Sequence, residues 1–489
     1  MVLIAFLSIL ALAAASPAFA TEAVGLAKQE AQKYSVPAYM TLPFVALLMA
    51  IAVMPFINKH FWEHNFHWVS YGLGLSVIIY YIYYIPGTHK AMETFFEYIS
   101  FICLIGSLFI VTGGIVIKLK NEGEPFVNAS ILLIGSLLAN ILGTTGASML
   151  LIRPFIRINR HRMRPYLVVF FIFTVSNMGG ALTPIGDPPL FLGYLKGVPF
   201  FWVIEHVFHI WGLAMLLVLG AFMLFDAYYY SRDKLARLEK KLESEREKDS
   251  AAHATADASD ADAARGHISA KHKKRHESED VIGYSEDESL MFKIYGFTNF
   301  IFLFFILVAV FLPAPVREII MAACAVAAYK TTPKKNHDEN GFNFDPIKEV
   351  AILFAGIFAT MMPALDWLEA NSQSLGITSA GHFYWGSGIL SSFLDNAPTY
   401  LNFLSAAIGL KHATVAQLLT DYPQYIIAIS LGSVFFGANT YIGNGPNFMV
   451  KSIAEQQGVQ TPSFFGYMFY YSIPILIPIF AIVWAVFLR

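Results

Sequence analysis

Ser176-Asn-Met-Gly-Gly-Ala-Leu-Thr-Pro-Ile-Gly-Asp-Pro-Pro-Leu-Phe191 follows the apolar run Tyr166 to Val175 and precedes another apolar stretch. Its flanks place it at membrane depth, yet its own residues oppose a helix. Three prolines and three glycines remove backbone donors and helical preference, and Asp187 adds a carboxylate that hydrocarbon penalises. Irregular backbone with an acid survives at that depth only where it lines a protein-enclosed cavity. The stretch is therefore expected to be a broken transmembrane helix that forms part of an ion or substrate site.

Composition gives this reading its setting. The chain has 489 residues, 56% hydrophobic, 15% aromatic and only 14% charged, with a mean hydropathy of +0.54. A soluble protein of this length shows far more charge. Repeated apolar runs of about 20 residues, the length a helix needs to cross a bilayer, indicate an all-α polytopic membrane protein. Cys103 and Cys324 both sit in apolar runs and offer neither a disulfide framework nor a metal spacing.

Met1 to Ala20 has an apolar core and ends in Ala18-Phe19-Ala20, which resembles a secretory signal peptide without its basic start. Spanning helices are expected over 37–57, 66–85 and 94–117. An apolar segment follows over 127–152, interrupted by Gly143-Thr144-Thr145-Gly146. A polar, glycine-flanked break midway reads as the tip of a re-entrant hairpin. The broken span 166–191 and a helix over 201–225 complete a first repeat, 36–225. Residues 226–290 are rich in charge, Ala, Ser and His and read as a solvated cytoplasmic linker with one charged helix.

The second repeat, 291–489, runs through helices over 291–312, 316–329 and 350–368, an interrupted segment over 384–410, a broken span over 425–450 and a last helix over 463–488. Its hairpin-like break is Asp395-Asn396-Ala397-Pro398-Thr399, and its span break runs from Gly437 to Asn447. Laid on the first half, Gly106 matches Gly356, Gly143 matches Asp395 and Gly186 matches Gly443, at offsets of 250, 252 and 257 residues. Three landmarks in one order indicate a structural duplication.

Basic residues orient it. With the mature N-terminus outside, the cytoplasmic connections hold five arginines between Arg153 and Arg164, twelve basic residues of the linker and Lys59, Lys118, Lys120, Lys330, Lys334, Lys335, Lys348 and Lys451. The outer ones hold Lys90, Lys196, Arg317, Lys411 and Arg489. This satisfies the positive-inside rule and makes the repeat inverted. The expected fold is about ten spanning helices with two re-entrant hairpins and two discontinuous helices.

Each half then offers one set of oxygen ligands. In the first, Thr144 and Thr145 stand on the hairpin, with Asn177, Thr183, Gly186 and Asp187 on the broken span. In the second, Ser392, Asp395 and Asn396 stand on the hairpin, with Asn439, Thr440, Asn444 and Asn447 on the span. Burial disfavours an ionised carboxylate and a bound cation favours it, so proton and sodium exclude each other at one group. Asp187 and Asp395 are therefore the candidate exchanging carboxylates. The alternative is that both acids simply cap helix N-termini.

The two hairpins, the Thr-Pro-Ile-Gly-Asp-Pro-Pro and Asn-Thr-Tyr-Ile-Gly-Asn-Gly-Pro-Asn breaks and the Asp-Asn-Ala-Pro-Thr tip resemble the ion transporter superfamily. Within it the chain is most similar to the NhaD-type sodium/proton antiporter or citrate transporter group, from about residue 36 to 488 with the linker excluded. The resemblance implies secondary transport with two cation sites at hairpin tips, an elevator-like movement and a homodimer. Carboxylate carriers of the superfamily have Ser-Asn-Thr at both tips, whereas these tips read Gly-Thr-Thr-Gly and Asp-Asn-Ala-Pro. That departure favours cation chemistry.

The expected function is a sodium (or lithium)/proton antiporter of the bacterial inner membrane. The alternative is a cation-coupled citrate or dicarboxylate transporter. Expected partners are the lipid bilayer, small inorganic cations and a second copy of the chain, with no nucleic acid and no cofactor besides the transported sodium and protons. No P-loop, nucleophile elbow or paired metal motif appears in the sequence, so an ATP-driven pump or membrane hydrolase is not expected. His60, Glu63, His64 and His67 read as interfacial residues of a cytoplasmic turn. His206 and His209, near Glu205, read either as aids to proton movement or as interhelical contacts, and Asp366 as interfacial.

Overall fold

The computed structural model describes residues 36–85, 89–119, 123–262 and 292–489. The expected leader over 1–20 and the later part of the linker, 263–290, lie outside the described residues. The chain is mostly helical and multi-pass. Among the described residues six helices are long and apolar enough to cross a bilayer: Ala38–Pro55, His89–Gly113, Pro125–Ile158, Trp202–Ala236, Asp345–Leu375 and Phe464–Phe487.

Helix α1 spans Leu42–Ile57 and α2 spans Lys59–Tyr84. The Asn58 side chain caps α2 by accepting from Phe61 N at 2.9 Å, as Asn does at helix starts. His60, Glu63, His64 and His67 thus lie on the first turns of a helix, not in the turn expected from the sequence. Helix α3, His89–Gly113, ends at Gly113-Gly114 and gives way to strand β1, Val116–Leu119.

Beyond β1 the first half folds around two interruptions. Helix α4, Pro125–Ile158, reverses at Gly143, whose φ of 74° and ψ of 154° suit only glycine. A straight helix of that length would hold its ends about 50 Å apart. Here Asn128 and Asn159 exchange hydrogen bonds of 2.9 and 2.8 Å, and Gly123 N donates to Ile158 O at 2.9 Å. The segment is a hairpin, as its break predicts. Helix α5, Pro165–Thr174, is followed by a 3-10 turn at Met178–Gly180, irregular backbone to Asp187, and α6, Pro188–Leu195. Helix α7 then runs over Trp202–Asp262, so the linker expected from 226 begins inside a continuous helix.

Strand β2, Phe292–Tyr295, pairs antiparallel with β1, Val116 opposite Tyr295 and Leu119 opposite Phe292. The helices expected over 94–117 and 291–312 overran these strands, because a short apolar run has no period that separates strand from buried helix. The ribbon is stitched by side chains from elsewhere. Asn340 Nδ2 donates to Gly113 O and Ile115 O at 2.8 and 2.7 Å, and Asn336 Nδ2 donates to Gly114 O at 3.1 Å.

The remaining elements are α8, Thr298–Ala309; α9, Val316–Thr331; α10, Lys334–Glu339; α11, Asp345–Asn371; α12, Ala380–Phe393; α13, Asn396–Lys411; α14, Val415–Asp421; α15, Pro423–Phe436; α16, Gly445–Gln456; α17, Phe464–Tyr467; and α18, Ile477–Phe487. A π-helical stretch, Met468–Leu476, joins the last two. Helices α12 and α13 fold back on each other, with the Phe383 and Phe403 rings packed edge to face at 5.9 Å. Burial is most complete along α5 and α15. Trp68, Leu75, Leu216, Leu224 and Phe304 point outward, as a lipid-facing surface does.

Candidate functional site

The two broken spans are tied to their hairpins by one repeated device. Thr183 Oγ1 donates to Asn140 O at 2.6 Å and accepts from Gly186 N at 3.1 Å. Thr440 Oγ1 donates to Ser392 O at 2.5 Å and accepts from Gly443 N at 3.1 Å. In each case a threonine hydroxyl satisfies backbone that the break has freed, which buried polar groups require. Glycine is needed for the close approach: a Cβ on Gly186 would run into Gly180 O, and one on Gly443 would lie 2.6 Å from Gly437 O.

Where the hairpins and breaks meet stands Asp187, only 1% exposed. Its Oδ1 accepts from Thr144 Oγ1 at 2.8 Å and from Asn444 Nδ2 at 3.0 Å. Its Oδ2 accepts from Asn396 Nδ2 at 2.5 Å. The donors come from the first hairpin tip, the second break and the second hairpin tip. Thr144 N also donates to Gly186 O at 2.8 Å, which fixes the tip against the break. Around this centre Asn177 Nδ2 donates to Asn447 Oδ1 at 2.6 Å, and Asn444 Nδ2 reaches Asn177 Oδ1 at 3.2 Å. Asn447 Nδ2 holds Gly437 O and Thr440 O at 2.8 and 2.9 Å, and Asn439 Nδ2 donates to Ser392 Oγ at 3.0 Å.

Most of the residues expected at the site are thus drawn together, with two exceptions. Asp395 is half-buried and caps α13, its side chain accepting from Ala397 N at 3.1 Å. The residue of that tip that reaches Asp187 is its neighbour, Asn396. Thr145 lines a cleft beside Gly143, Thr144, Ile185 and Gly186, and its side chain has no hydrogen bond to the carboxylate cluster among the described residues.

Four residues that contribute were not named as such from the sequence. Asn140 is buried, donates to Gly179 O at 2.7 Å and accepts from Leu182 N at 2.9 Å; its signal was a lone amide in an apolar run. Ser148 and Ser176 share a hydrogen bond of 2.8 Å. Asp226, assigned to the solvated linker, is fully buried. It pairs with Arg162, accepts from Tyr166 Oη at 2.5 Å and from Asn128 Nδ2 at 3.0 Å, and so fastens the roots of the first hairpin to α7.

Other candidates have ordinary partners. His206 Nδ1 donates to Trp202 O at 2.8 Å and its ring stacks on that indole, and His209 packs edge-on to Phe487. His60 and His64 approach each other at 3.2 Å. Asp366 pairs with Lys90 and accepts from Tyr81 Oη at 2.7 Å. No cluster of three or more His, Cys, Asp or Glu able to hold a metal occurs among the described residues.

A buried carboxylate ringed by hydroxyl and amide groups suits a hard cation or a proton. Asn396 Oδ1 and Asn439 Oδ1 are buried oxygens without a protein partner among the described residues, and both are acceptors of the kind such a cation takes. The model of a family described as "Putative citrate transport" matches residues 33–258 and 266–488, which is nearly all of the membrane part. No curated protein matches the chain. Both halves of the sequence fall within that one match, and the chain belongs to this family of membrane transporters.

Proposed function

We propose that the protein is a secondary transporter that moves a citrate-class carboxylate together with cations, and that the Asp187 cluster is the site of the coupling cation. The observation that carries the carboxylate is the family match over both halves. It favours this reading over the antiport expected from the hairpin tips. The acid itself would repel a carboxylate, so Asp187 serves the cation and the substrate binds elsewhere or together with that cation. The setting is a bacterial inner membrane, with α7 projecting into the cytoplasm.

An inverted duplication is part of this proposal. The paired bonds of Thr183 with Asn140 and of Thr440 with Ser392 support it, since they recur at the sequence offsets of 257 and 252 residues. So do the hairpin roots. Those of α4 lie beside Arg162 and Asp226, whereas those of α12 and α13 lie beside Gln373, which bonds His412 at 2.8 Å, at the other end of the bundle. Two hairpins entering from opposite faces give a midplane site that either side can reach in turn.

Uptake of labelled citrate into proteoliposomes tests the reading. Accumulation driven by an inward sodium or proton gradient is the expected result, and equal citrate levels with and without both gradients would exclude it. A second reading, sodium (or lithium)/proton antiport, is favoured by one observation: no Lys or Arg bonds Asp187 or either hairpin tip among the described residues. Lys451 lies over the Tyr441 ring but pairs with Glu455 at 2.5 Å. Sodium-induced collapse of a proton gradient in everted vesicles, without citrate, is the result that selects it.

A further inference from the structure

Of the five arginines between Arg153 and Arg164, two are held by acids: Arg162 pairs with Asp226, and Arg164 with Asp233 at 2.6 Å. Three cations assigned to the opposite face are likewise paired, Lys90 with Asp366, Lys196 with Glu97 and Arg317 with Glu318. Arg153, Arg157 and Arg160 have no carboxylate partner among the described residues; Arg160 donates to its neighbour His161 at 2.9 Å. Arg157 and Arg160 are exposed, and water serves them. Arg153 is different. It is half-buried, and its Nη1 is a buried donor without a hydrogen-bond partner among the described residues, although folded proteins normally provide one for such a group.

Arg153 stands at the foot of the cleft beside the first hairpin tip. That cleft has about 370 Å³ of empty volume and is lined by Phe109, Thr145 and Gly146 among others, within the roughly 300–1,000 Å³ of small-molecule sites. Gly146, Arg153 and Arg160 follow one another at two-turn spacing, and Arg157 stands one turn beyond Arg153. All four therefore share one face of the second arm of α4, with Arg153 about 10 Å from Gly146 toward the hairpin roots. The facing wall is continuous. The Phe109 ring of the cleft packs on Phe342 at 5.3 Å, and the preceding residue is Gly341, where a Cβ would lie 3.0 Å from Arg153 Nη2. Glu339 and Asp345 of the same loop are taken by lysines, Lys118 at 2.9 Å and Lys348 at 3.3 Å. At the offset of 252 residues the second hairpin carries Ser405 and Gly409 in place of Arg153 and Arg157, so the stripe belongs to one face of the molecule.

We propose that Arg153, with Arg157 and Arg160 on the same face, forms a cationic vestibule that takes the carboxylates of an anionic substrate between the cleft and the face on which the first hairpin opens. A guanidinium offers paired N–H donors that match a carboxylate, and unpaired cations along a passage concentrate anions there. The free Nη1 of Arg153 is the donor nearest the cleft, and the exposed pair beyond it draws the anion to or from bulk water. No bond is made or broken. The proposal rests on the carboxylate reading of the transporter and deepens it: Asp187 repels the substrate's charge, and Arg153 meets it.

Thiol labelling of the full-length protein in phosphatidylcholine proteoliposomes tests the vestibule without reference to transport. Thr145→Cys places a reporter in the cleft, with Cys103→Ser and Cys324→Ser removing the native thiols. Its rates with anionic sulfonatoethyl and cationic trimethylammonioethyl methanethiosulfonate are each divided by the rate on free cysteine. The anionic reagent is expected to be favoured at least about fivefold. Arg153→Gln should abolish that preference and Arg153→Lys should keep it. No labelling, equal rates for both reagents, or a preference that survives Arg153→Gln overturns the proposal. So does a preference lost on adding phosphatidylglycerol, which assigns the arginines to lipid phosphate. In citrate uptake, Arg153→Gln should raise KM at least about fivefold with the sodium dependence unchanged, and an unchanged KM overturns the substrate role. Should citrate not be transported while the anionic preference holds, the vestibule stands and the citrate reading falls.

Discussion

Among single residues, Asp187 bears the account and Asp395 does not. Asp187 accepts from Thr144, Asn396 and Asn444, whereas Asp395 accepts from its own helix. Asp395→Asn, which keeps an acceptor at the cap, is expected to transport within about threefold of the parent, because cap exchange among Asp and Asn is nearly neutral. Thr144→Val removes a hydroxyl bond to a charged group, worth roughly 1.5–3 kcal/mol. The sodium dependence of transport should shift about tenfold or more to higher concentration, read by initial rates against sodium. Asp187 was legible because an acid between glycine and two prolines has no place in lipid. Asn396 was named together with Asp395 at its tip, but the sequence alone cannot say which of two adjacent polar residues turns toward the other half. Asn140 was hidden by the apolar run around it.

At the level of elements, the breaks were readable and the ends were not. Glycine, proline and polar residues mark Gly143 and the two span interruptions directly. The β1–β2 ribbon is set instead by Asn336 and Asn340, more than 200 positions away from the carbonyls they satisfy, and no local pattern announces such a contact. Gly143→Ala must place a Cβ at φ 74°, a strain of roughly 1–2 kcal/mol, and should lower the melting temperature and loosen the first hairpin in hydrogen exchange. Asp226→Ala leaves Arg162 as an uncompensated buried charge, a loss of roughly 3–5 kcal/mol. Faster exchange over 123–128 and 158–166 than elsewhere is the expected signature. His337, on α10, is half-buried against the Tyr329 and Phe342 rings, and loss of hydration there pushes its pKa below the ordinary value of 6.5. A lowered folded-state pKa means that its contribution is complete above about 6.5 and is lost as pH falls through the lower folded value. Melting curves between pH 5 and 8 should show this loss, and His337→Leu should flatten it.

Over the whole molecule, the two halves are joined at their least regular points. Asp187 is completed by Asn396 and Asn444, and Asn177 by Asn447, so neither half holds the carboxylate alone. The proposed correspondence of the halves starts from three landmarks in register. That their breaks interlock was not, because packing between distant segments leaves no periodic trace in either. A charged helix was expected within the linker; that it continues the span over 201–225 without a break, as α7 to Asp262, was hidden by the change of composition at 226. The central claim is that the coupling cation binds at Asp187. The most direct measurement is the sodium dependence of labelled-citrate uptake by Asp187→Asn beside the unaltered protein, with both folded to the same melting temperature. Sodium-driven accumulation that is lost in the variant is the predicted result; accumulation with the same sodium dependence in both would contradict it.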